Sequence, residues 1–206
     1  MQEVMEEMSP DDRAQLFEEL PAKVVRQLLD QLSPEERKVT AELLGYEAET
    51  AGRLMTTEYI ALKENQTALE ALDIVRRRAR DTETIYSLYV TDNERRLTGI
   101  LSLRDLVTAD PHTLIRDVMT EEVLSVRTNT DQEKVARTIQ RYDFLAVPVV
   151  DLEQRLVGIV TVDDVIDVIE QEATRDLYAA GAVQAGDEDD LSLIHISEPT
   201  RRSGST

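Results

Sequence analysis

Two stretches of the sequence share a pattern that decides the fold. The first reads Gly99-Ile100-Leu101-Ser102-Leu103-Arg104-Asp105-Leu106, and the second reads Gly158-Ile159-Val160-Thr161-Val162-Asp163-Asp164-Val165. In each stretch, apolar residues lead to a Ser or Thr that can cap a helix, and an Asp follows three residues later. Each stretch therefore predicts a strand that runs directly into a helix, and together they predict an internal repeat.

The similarity continues upstream of both stretches. The copies open at Met55 and Met119, 64 positions apart, whereas their closing glycines are 59 apart, so the first copy is about five residues longer. The extra residues fall most simply around Arg76–Thr84. Each copy contains a short opening strand, a helix, two further strands joined by an Asp-containing turn, and a last helix. The predicted central helices are Ala68–Arg78 and Gln132–Tyr142, and the predicted strands are Ser87–Val90, Leu97–Ser102, Leu145–Val150 and Leu156–Thr161.

Residues 1–46 are predicted to be helical. Ser9-Pro10-Asp11-Asp12 and Ser33-Pro34-Glu35-Glu36 each combine a capping serine, a proline at the first helical position and acids near the positive end of the helix dipole. Pro21 must start a new helix, because proline disrupts a helix interior. The fold class is therefore α+β, with an all-helical N-terminal domain before the repeated α and β units.

Composition excludes several functional classes. The 206 residues include 42 Asp plus Glu against 23 Lys plus Arg, which gives a net charge of −19, and there is no cysteine. Such a charge disfavours nucleic-acid binding, and neither a disulfide nor a cysteine-based zinc site can form. No apolar run is long enough to span a bilayer, and no catalytic motif is present. We therefore expect a soluble, cytoplasmic chain that is not an enzyme.

The repeat resembles the tandem CBS (cystathionine β-synthase) domain pair. The resemblance rests on the two Gly-x-x-Ser/Thr-x-x-Asp stretches, in register with matching upstream halves, and on Val147-Pro148-Val149-Val150. More of the chain resembles the cytosolic part of an MgtE-type magnesium channel. The supporting stretches include Ala51-Gly52-x-Leu54-Met55-Thr56, Thr84-Ile85-Tyr86, Ala109-Asp110-Pro111 and Tyr142-Asp143-Phe144.

This resemblance implies a domain organisation. Residues 1–46 are a partial helical N-terminal domain, 47–112 the first CBS repeat, 113–170 the second, and 171–190 a connecting helix with an acidic segment. In the family a membrane pore domain follows, so the parent protein would lie at the cytoplasmic face of the cell membrane. Residues 191–206 match nothing in the family and look like a translated sequencing adapter, a non-native tail. The alternative is a natural disordered terminus.

The resemblance also implies Mg²⁺ as a ligand, bridging acids between the N-terminal domain, the CBS pair and the connecting helix. Asp11 would face Asp164 with one ion between them. The full set of candidate metal ligands is Asp11, Asp131, Glu133, Asp143, Asp164, Asp167, Glu172 and Asp176. Gln15 stands where the family can have an acid near Asp11, and Arg175 where an acid ligand is expected beside Asp176. A fixed positive charge at Arg175 would repel an ion. Without the resemblance, the acids of 161–176 would read as a solvated helix face.

A second ligand, ATP, is implied by the same motifs. In CBS pairs the motif Asp accepts hydrogen bonds from a ribose, and the Ser or Thr lies near phosphate. The candidate ATP residues are Ser102, Arg104, Asp105 and Phe144, with Phe144 stacking on the base. Ser87 stands where an aromatic partner is expected. The alternative role of Ser102 and Asp105 is to cap a helix.

The resulting functional hypothesis is a cytosolic Mg²⁺-sensing regulatory module of a magnesium channel. It is expected to form a homodimer through its CBS domains and to act on the pore domain of its parent chain. High Mg²⁺ would hold the domains together and favour the closed pore. Two alternatives remain open: a soluble adenine-nucleotide sensor that regulates a partner enzyme, and a purely structural dimerisation module.

Overall fold

The computed structural model describes residues 2–170 and 173–175. Residues up to Val168 form one compact unit, and those from Ile169 onward belong to a second. The helices are α1 (Gln2–Glu7), α2 (Pro10–Glu18), α3 (Ala22–Leu29), α4 (Pro34–Leu44), α5 (Ala51–Leu54), α6 (Ala68–Arg78), α7 (Leu103–Thr108), α8 (Ile115–Val118), α9 (Gln132–Tyr142) and α10 (162–170). The strands are β1 (Ala61–Lys63), β2 (Ser87–Thr91), β3 (Leu97–Ser102), β4 (Val126–Arg127), β5 (Ala146–Val150) and β6 (Leu156–Thr161).

Short helices form the N-terminal region, as the sequence predicts. α2 ends before Pro21, and Pro21 is the N-cap of α3 rather than its first helical residue. The Ser33 side chain caps α4 by accepting a hydrogen bond from the Glu36 backbone N–H at 3.2 Å. The matching prediction for Ser9 is wrong, because its side chain makes no capping hydrogen bond to α2. Pro10 supplies the helical φ there without that hydrogen bond.

The two repeats have the same topology. In each three-stranded sheet the first strand pairs in parallel with the second, which pairs antiparallel with the third. Asp92 and Asp151 form equivalent turns, because one carboxylate oxygen of each accepts two backbone N–H groups. Residues 79–86 separate α6 from β2, whereas only 143–145 separate α9 from β5. The first repeat is therefore longer by five residues, near the predicted place.

The opening segments of the repeats are exchanged. Thr56, at the start of the first repeat, pairs with Ile159 of the second through two backbone hydrogen bonds, of 2.9 and 3.0 Å. Thr120, at the start of the second repeat, pairs in the same way with Ile100 of the first. The preceding methionines fill the space left by the motif glycines: a Cβ on Gly158 would lie 2.5 Å from the Met55 sulfur, and one on Gly99 would lie 2.5 Å from the Met119 sulfur.

The N-terminal helices share a core with the second repeat. Ala14 of α2 and Leu43 of α4 belong to the same buried cluster as Met55, Val135 and Val160. A separate cluster fills the first repeat, and a third, around Tyr89 and Ile159, lies between the sheets. This packing brings the first turn of α2 toward the start of α10. In residues 2–170 and 173–175, no helix is both long and apolar enough to cross a bilayer.

Candidate functional site

Asp11 and Asp164 belong to different domains but lie within electrostatic reach of each other. Asp11 is in the first turn of α2, and only 8% of its surface is exposed. Its Oδ1 atom is buried and has no hydrogen-bond partner. Asp164 is half-buried in the first turn of α10, where its Oδ2 accepts hydrogen bonds from the backbone N–H and hydroxyl of Thr161. A buried carboxylate oxygen without a donor is costly, so the site holds an unsatisfied hydrogen-bond acceptor.

The pKa values of both carboxyls reflect this environment. Burial is the main cause that raises the pKa of Asp164 to about 7; the charges of Asp11 and Asp163 act in the same direction, and the hydrogen bonds from Thr161 oppose them. Burial also raises the pKa of Asp11; the Ser9 hydroxyl opposes this, and the charge of Asp12 adds to it. Desolvation and neighbouring like charges both disfavour the ionised form, so a cation at this place would relieve both effects.

Two glutamates of the first repeat join this cluster, and sequence reasoning missed them. The backbone N–H of Glu83 donates to the Glu58 carbonyl at 2.9 Å, which holds the two residues side by side. Burial and the charges of Glu83, Glu36 and Asp11 raise the pKa of Glu58, while Arg13 lowers it. Partial burial and the charges of Asp11, Asp163 and Asp12 raise the pKa of Glu83. We call Asp11, Glu58, Glu83 and Asp164 the acidic cluster.

Glu83 carries a signal that the sequence contained. It lies in 79–86, the segment that makes the first repeat longer than the second. The extra residues therefore place Glu83 within electrostatic reach of Asp11 and Asp12 in α2. Glu58 has no comparable signal, because it follows Thr56 in the exchanged opening segment, whose position depends on the other repeat.

The acidic cluster is not a closed cage. In the part of the chain that the structure describes, no three His, Cys, Asp or Glu side chains are placed to enclose a metal ion. Mg²⁺ fits such a place better than an ion that sheds its water, because Mg²⁺ usually keeps several waters and binds through one or two carboxylates. The buried Asp11 oxygen without a partner is therefore chemically suited to a partly hydrated cation such as Mg²⁺.

Of the predicted ligands on the second repeat, Asp131 and Glu133 lie at the start of α9, and Asp143 lies beyond its other end. Asp131 caps α9 by accepting hydrogen bonds from the backbone N–H groups of Glu133 and Lys134. Glu133 forms a 2.9 Å ion pair with Arg137. Asp143 is exposed just after the other end of α9, with a left-handed φ of 55°. With 1.5 Å of rise per residue, Asp131 and Asp143 are separated by about 18 Å along the helix, so they cannot hold one ion together.

The remaining predicted ligands lie on or after α10. Asp167 is exposed on that helix. Glu172 and Asp176 lie outside the described residues, as do the acidic segment 176–190 and the predicted non-native tail 191–206. The site role of all three acids stays a prediction.

The nucleotide candidates of the first repeat share one turn. The Ser102 hydroxyl caps α7 by accepting from the Asp105 N–H at 3.1 Å, and it donates to the Asp105 carboxylate at 2.5 Å. Ser87 pairs with Ser102 across the sheet, and Arg104 is exposed beside it. Phe144 is half-buried and stacks on Tyr142, with ring centroids 5.5 Å apart. The helix-cap role is therefore filled, and Arg104 and Asp105 remain open to solvent.

Comparison with known families identifies both parts of the chain. The profile of the CBS domain matches residues 51–112 and 115–171. The profile described as the MgtE intracellular N domain matches residues 1–49. The two profiles together account for the N-terminal helices and both repeats.

Similar proteins agree with these matches. The chain is 53% identical to a magnesium transporter MgtE of Thermus thermophilus over 79% of its length, and 43% identical to one of Bacillus subtilis over 84%. It spans only 36% and 38% of those proteins. Among solved structures, the soluble part of a magnesium transporter matches with a TM-score of 0.81 and 48% identity, covering 84% of this chain and 67% of that one. The cytosolic domain of the Mg²⁺ channel MgtE in complex with ATP matches with a TM-score of 0.79 and 49% identity, covering 81% and 68%.

Proposed function

Because the chain belongs to the MgtE family, as an MgtE intracellular N domain followed by a pair of CBS domains, we propose that it is the cytosolic Mg²⁺-sensing module of a magnesium channel. Its role is regulatory rather than catalytic. The whole protein would sit in the cell membrane, with this module on the cytoplasmic face and a pore domain in the same chain.

One observation carries the proposal: the buried Asp11 oxygen without a partner, within electrostatic reach of Asp164. Without Mg²⁺, repulsion within the acidic cluster pushes the N-terminal helices away from the repeats. Two carboxylates at about 4 Å repel by roughly 4 kcal/mol at an effective dielectric of 20. Mg²⁺ replaces this repulsion with attraction and holds the domains together. Moving a two-state equilibrium from 1:99 to 99:1 takes about 5.5 kcal/mol, so a few such pairs suffice to favour the closed pore.

A Mg²⁺ titration of thermal unfolding tests this role. Mg²⁺ bound only to the folded form should stabilise it by about 2.7 kcal/mol at 100 times Kd. NaCl at equal ionic strength should do much less, because it only screens charge. Asp11→Asn and Asp164→Asn should each remove most of the Mg²⁺ effect, and the double variant should lose little more, because both remove one shared site. Glu83→Gln should weaken the effect in part.

Asp105→Asn is the matched control, since it changes the equivalent motif of the other repeat and should leave the Mg²⁺ response intact. If NaCl and MgCl₂ stabilise the protein equally, general charge screening explains the response and no specific Mg²⁺ site is needed. Fully additive losses in the double variant would mean that Asp11 and Asp164 bind no common ion.

A second function, nucleotide binding, is favoured by the open Ser102–Asp105 turn. A similar cytosolic domain has been solved in complex with ATP. We propose that ATP binds there in this chain, with Asp105 on the ribose and Phe144 against the base. Asp105→Ala should abolish ATP binding in calorimetry while leaving the Mg²⁺ response unchanged. If calorimetry detects no binding of millimolar ATP to the unmutated protein, Ser102 and Asp105 act only as a helix cap.

We further propose that the module is a homodimer held through equivalent apolar surfaces of the two repeats. Leu103 N–H donates to the Tyr86 carbonyl in the first repeat, and Val162 N–H to the Leu145 carbonyl in the second. Beside these contacts, Tyr86 and Val107 are 64% and 59% exposed. The equivalent Leu145 and Ile166 are 57% and 50% exposed. Two such pairs on one molecule suit a self-complementary, two-fold interface.

A further inference from the structure

A groove in the second repeat is lined by several positively charged side chains. It lies between α9 and the segment that leads into β4, and its volume is about 640 Å³. Four cationic side chains line it: Arg127, Lys134, Arg137 and Arg141. The last three recur at helical spacing on one face of α9. Ser125, Thr130 and Thr138 line it as well.

Most of the positively charged side chains in this groove form no ion pair within the protein, among the residues that the structure describes. Among the described residues, Arg127 and Lys134 form none, and Arg137 pairs with Glu133 at an exposed position, where such pairs contribute little. Arg141 lies 5.5 Å from the centre of the Tyr142 ring. The groove therefore keeps most of its positive charge available, in a chain with a net charge of −19.

The first repeat provides an internal comparison. Its equivalent groove, of about 420 Å³, is lined by Glu70, Asp73 and Arg77 of α6. With the offset of 64 between the helices, Glu70 corresponds to Lys134, Asp73 to Arg137 and Arg77 to Arg141. The same groove thus carries opposite charge at two of three positions. A solvated helix face common to both repeats does not account for this reversal.

We propose that the groove of α9 and β4 binds a phosphate-bearing anion. Guanidinium and ammonium groups form strong charge-assisted hydrogen bonds with phosphate oxygens, and Arg can do so bidentately. The groove volume lies in the range of small-ligand sites. The ligand is either a soluble polyphosphate compound or the headgroup of an anionic phospholipid, since both present the same chemistry. The site is separate from the Ser102–Asp105 turn and does not depend on Mg²⁺ sensing.

Inorganic pyrophosphate in metal-free buffer is the probe, followed by calorimetry. The unmutated protein should bind it, and the double variant Lys134→Gln with Arg137→Gln should bind at least about tenfold more weakly, because two charged partners are lost. The matched control, Arg77→Gln with Arg78→Gln, removes two charges from the exposed end of α6 and should change binding less than about twofold. Circular dichroism checks that each variant is folded.

A gain-of-function variant gives an independent check. Glu70→Lys with Asp73→Arg gives the first groove the charges of the second, so it should add pyrophosphate binding. Flotation with vesicles of phosphatidylcholine, with or without phosphatidylglycerol, decides the source. Binding to the anionic vesicles that is lost in the Lys134/Arg137 variant assigns a lipid headgroup. Pyrophosphate binding without flotation assigns a soluble compound. No binding to either probe, or equal weakening in the α6 control, overturns the proposal.

Discussion

The two Gly-x-x-Ser/Thr-x-x-Asp turns have the same local structure in different surroundings. In both, the Ser or Thr hydroxyl donates to the Asp carboxylate three residues later. Asp105 is exposed at the surface of the first repeat, whereas Asp164 is half-buried within reach of Asp11. The motif therefore forms the start of a helix in both repeats. The surroundings of its Asp differ, because only Asp164 lies near the N-terminal helices. In one repeat the Asp is open to a ligand, and in the other it belongs to an acidic cluster.

The largest expected contrast between the turns is in pH dependence without Mg²⁺. The pKa of Asp164 is raised from 3.8 to about 7 in the folded protein. The unfolded chain therefore loses this proton first as pH rises, and the folded state becomes less stable between the two pKa values. Replacing Asp164 with Asn removes this loss. The variant should gain stability over the unmutated protein as pH rises from 4 to 8, by an amount of the order of 3 kcal/mol.

Denaturant unfolding of the metal-free protein at several pH values measures this contrast. Asp105→Asn, which changes the exposed turn, is the comparison variant. If the two variants track each other across the pH range, the surroundings of the two turns do not differ in the way described.

A smaller contrast is expected between the two motif glycines. A Cβ on Gly158 would meet the Met55 side chain and also the Thr56 carbonyl oxygen, at 2.8 Å. A Cβ on Gly99 would meet only the flexible Met119 side chain among its nearest neighbours. Gly158→Ala should therefore destabilise by about 2–3 kcal/mol and Gly99→Ala by about 1 kcal/mol, within the range for overpacking. Thermal unfolding gives the order, and a larger loss at Gly99 would contradict it.

The smallest effect on folding is expected at the exposed apolar surfaces. Val107→Glu in the first repeat and Ile166→Glu in the second should each change folding stability by less than about 0.5 kcal/mol. Both should shift the protein toward the monomer in analytical ultracentrifugation, because a charge in the centre of an interface is left unpaired. Leu152→Glu, in an exposed turn away from these surfaces, is the control. If the unmutated protein is a monomer in solution, the proposed homodimer is wrong.

Sequence reasoning predicted most of the secondary structure. The helices Ala68–Arg78 and Gln132–Tyr142 and the strands Leu97–Ser102 and Leu156–Thr161 have the predicted bounds. These elements carry their own signals, such as the Thr67 capping box and the Asp131 cap. The Ser9 cap failed, although the local pattern matches that of Ser33, because a capping residue can start a helix without making the hydrogen bond.

The candidate site was predictable only in part. Asp11 and Asp164 were paired through a family resemblance, since 153 positions separate them in the sequence. Glu58 and Glu83 were missed because their approach depends on tertiary packing: Glu58 follows an exchanged segment, and Glu83 lies in the longer connection of the first repeat. No local pattern states which sheet an opening segment joins. The charge reversal between the two grooves lies in the sequence itself, but only the fold shows that α6 and α9 line equivalent grooves.

The exchange of the opening segments joins the two repeats through backbone hydrogen bonds in both directions. Met55 packs over Gly158, and Met119 packs over Gly99. Each repeat is therefore in contact with the opening segment of the other. A proteolytic nick in the connection near Pro111 would leave two clasped pieces rather than two free domains. Because each repeat holds the opening segment of the other, rotation of one repeat must also move the first residues of the other.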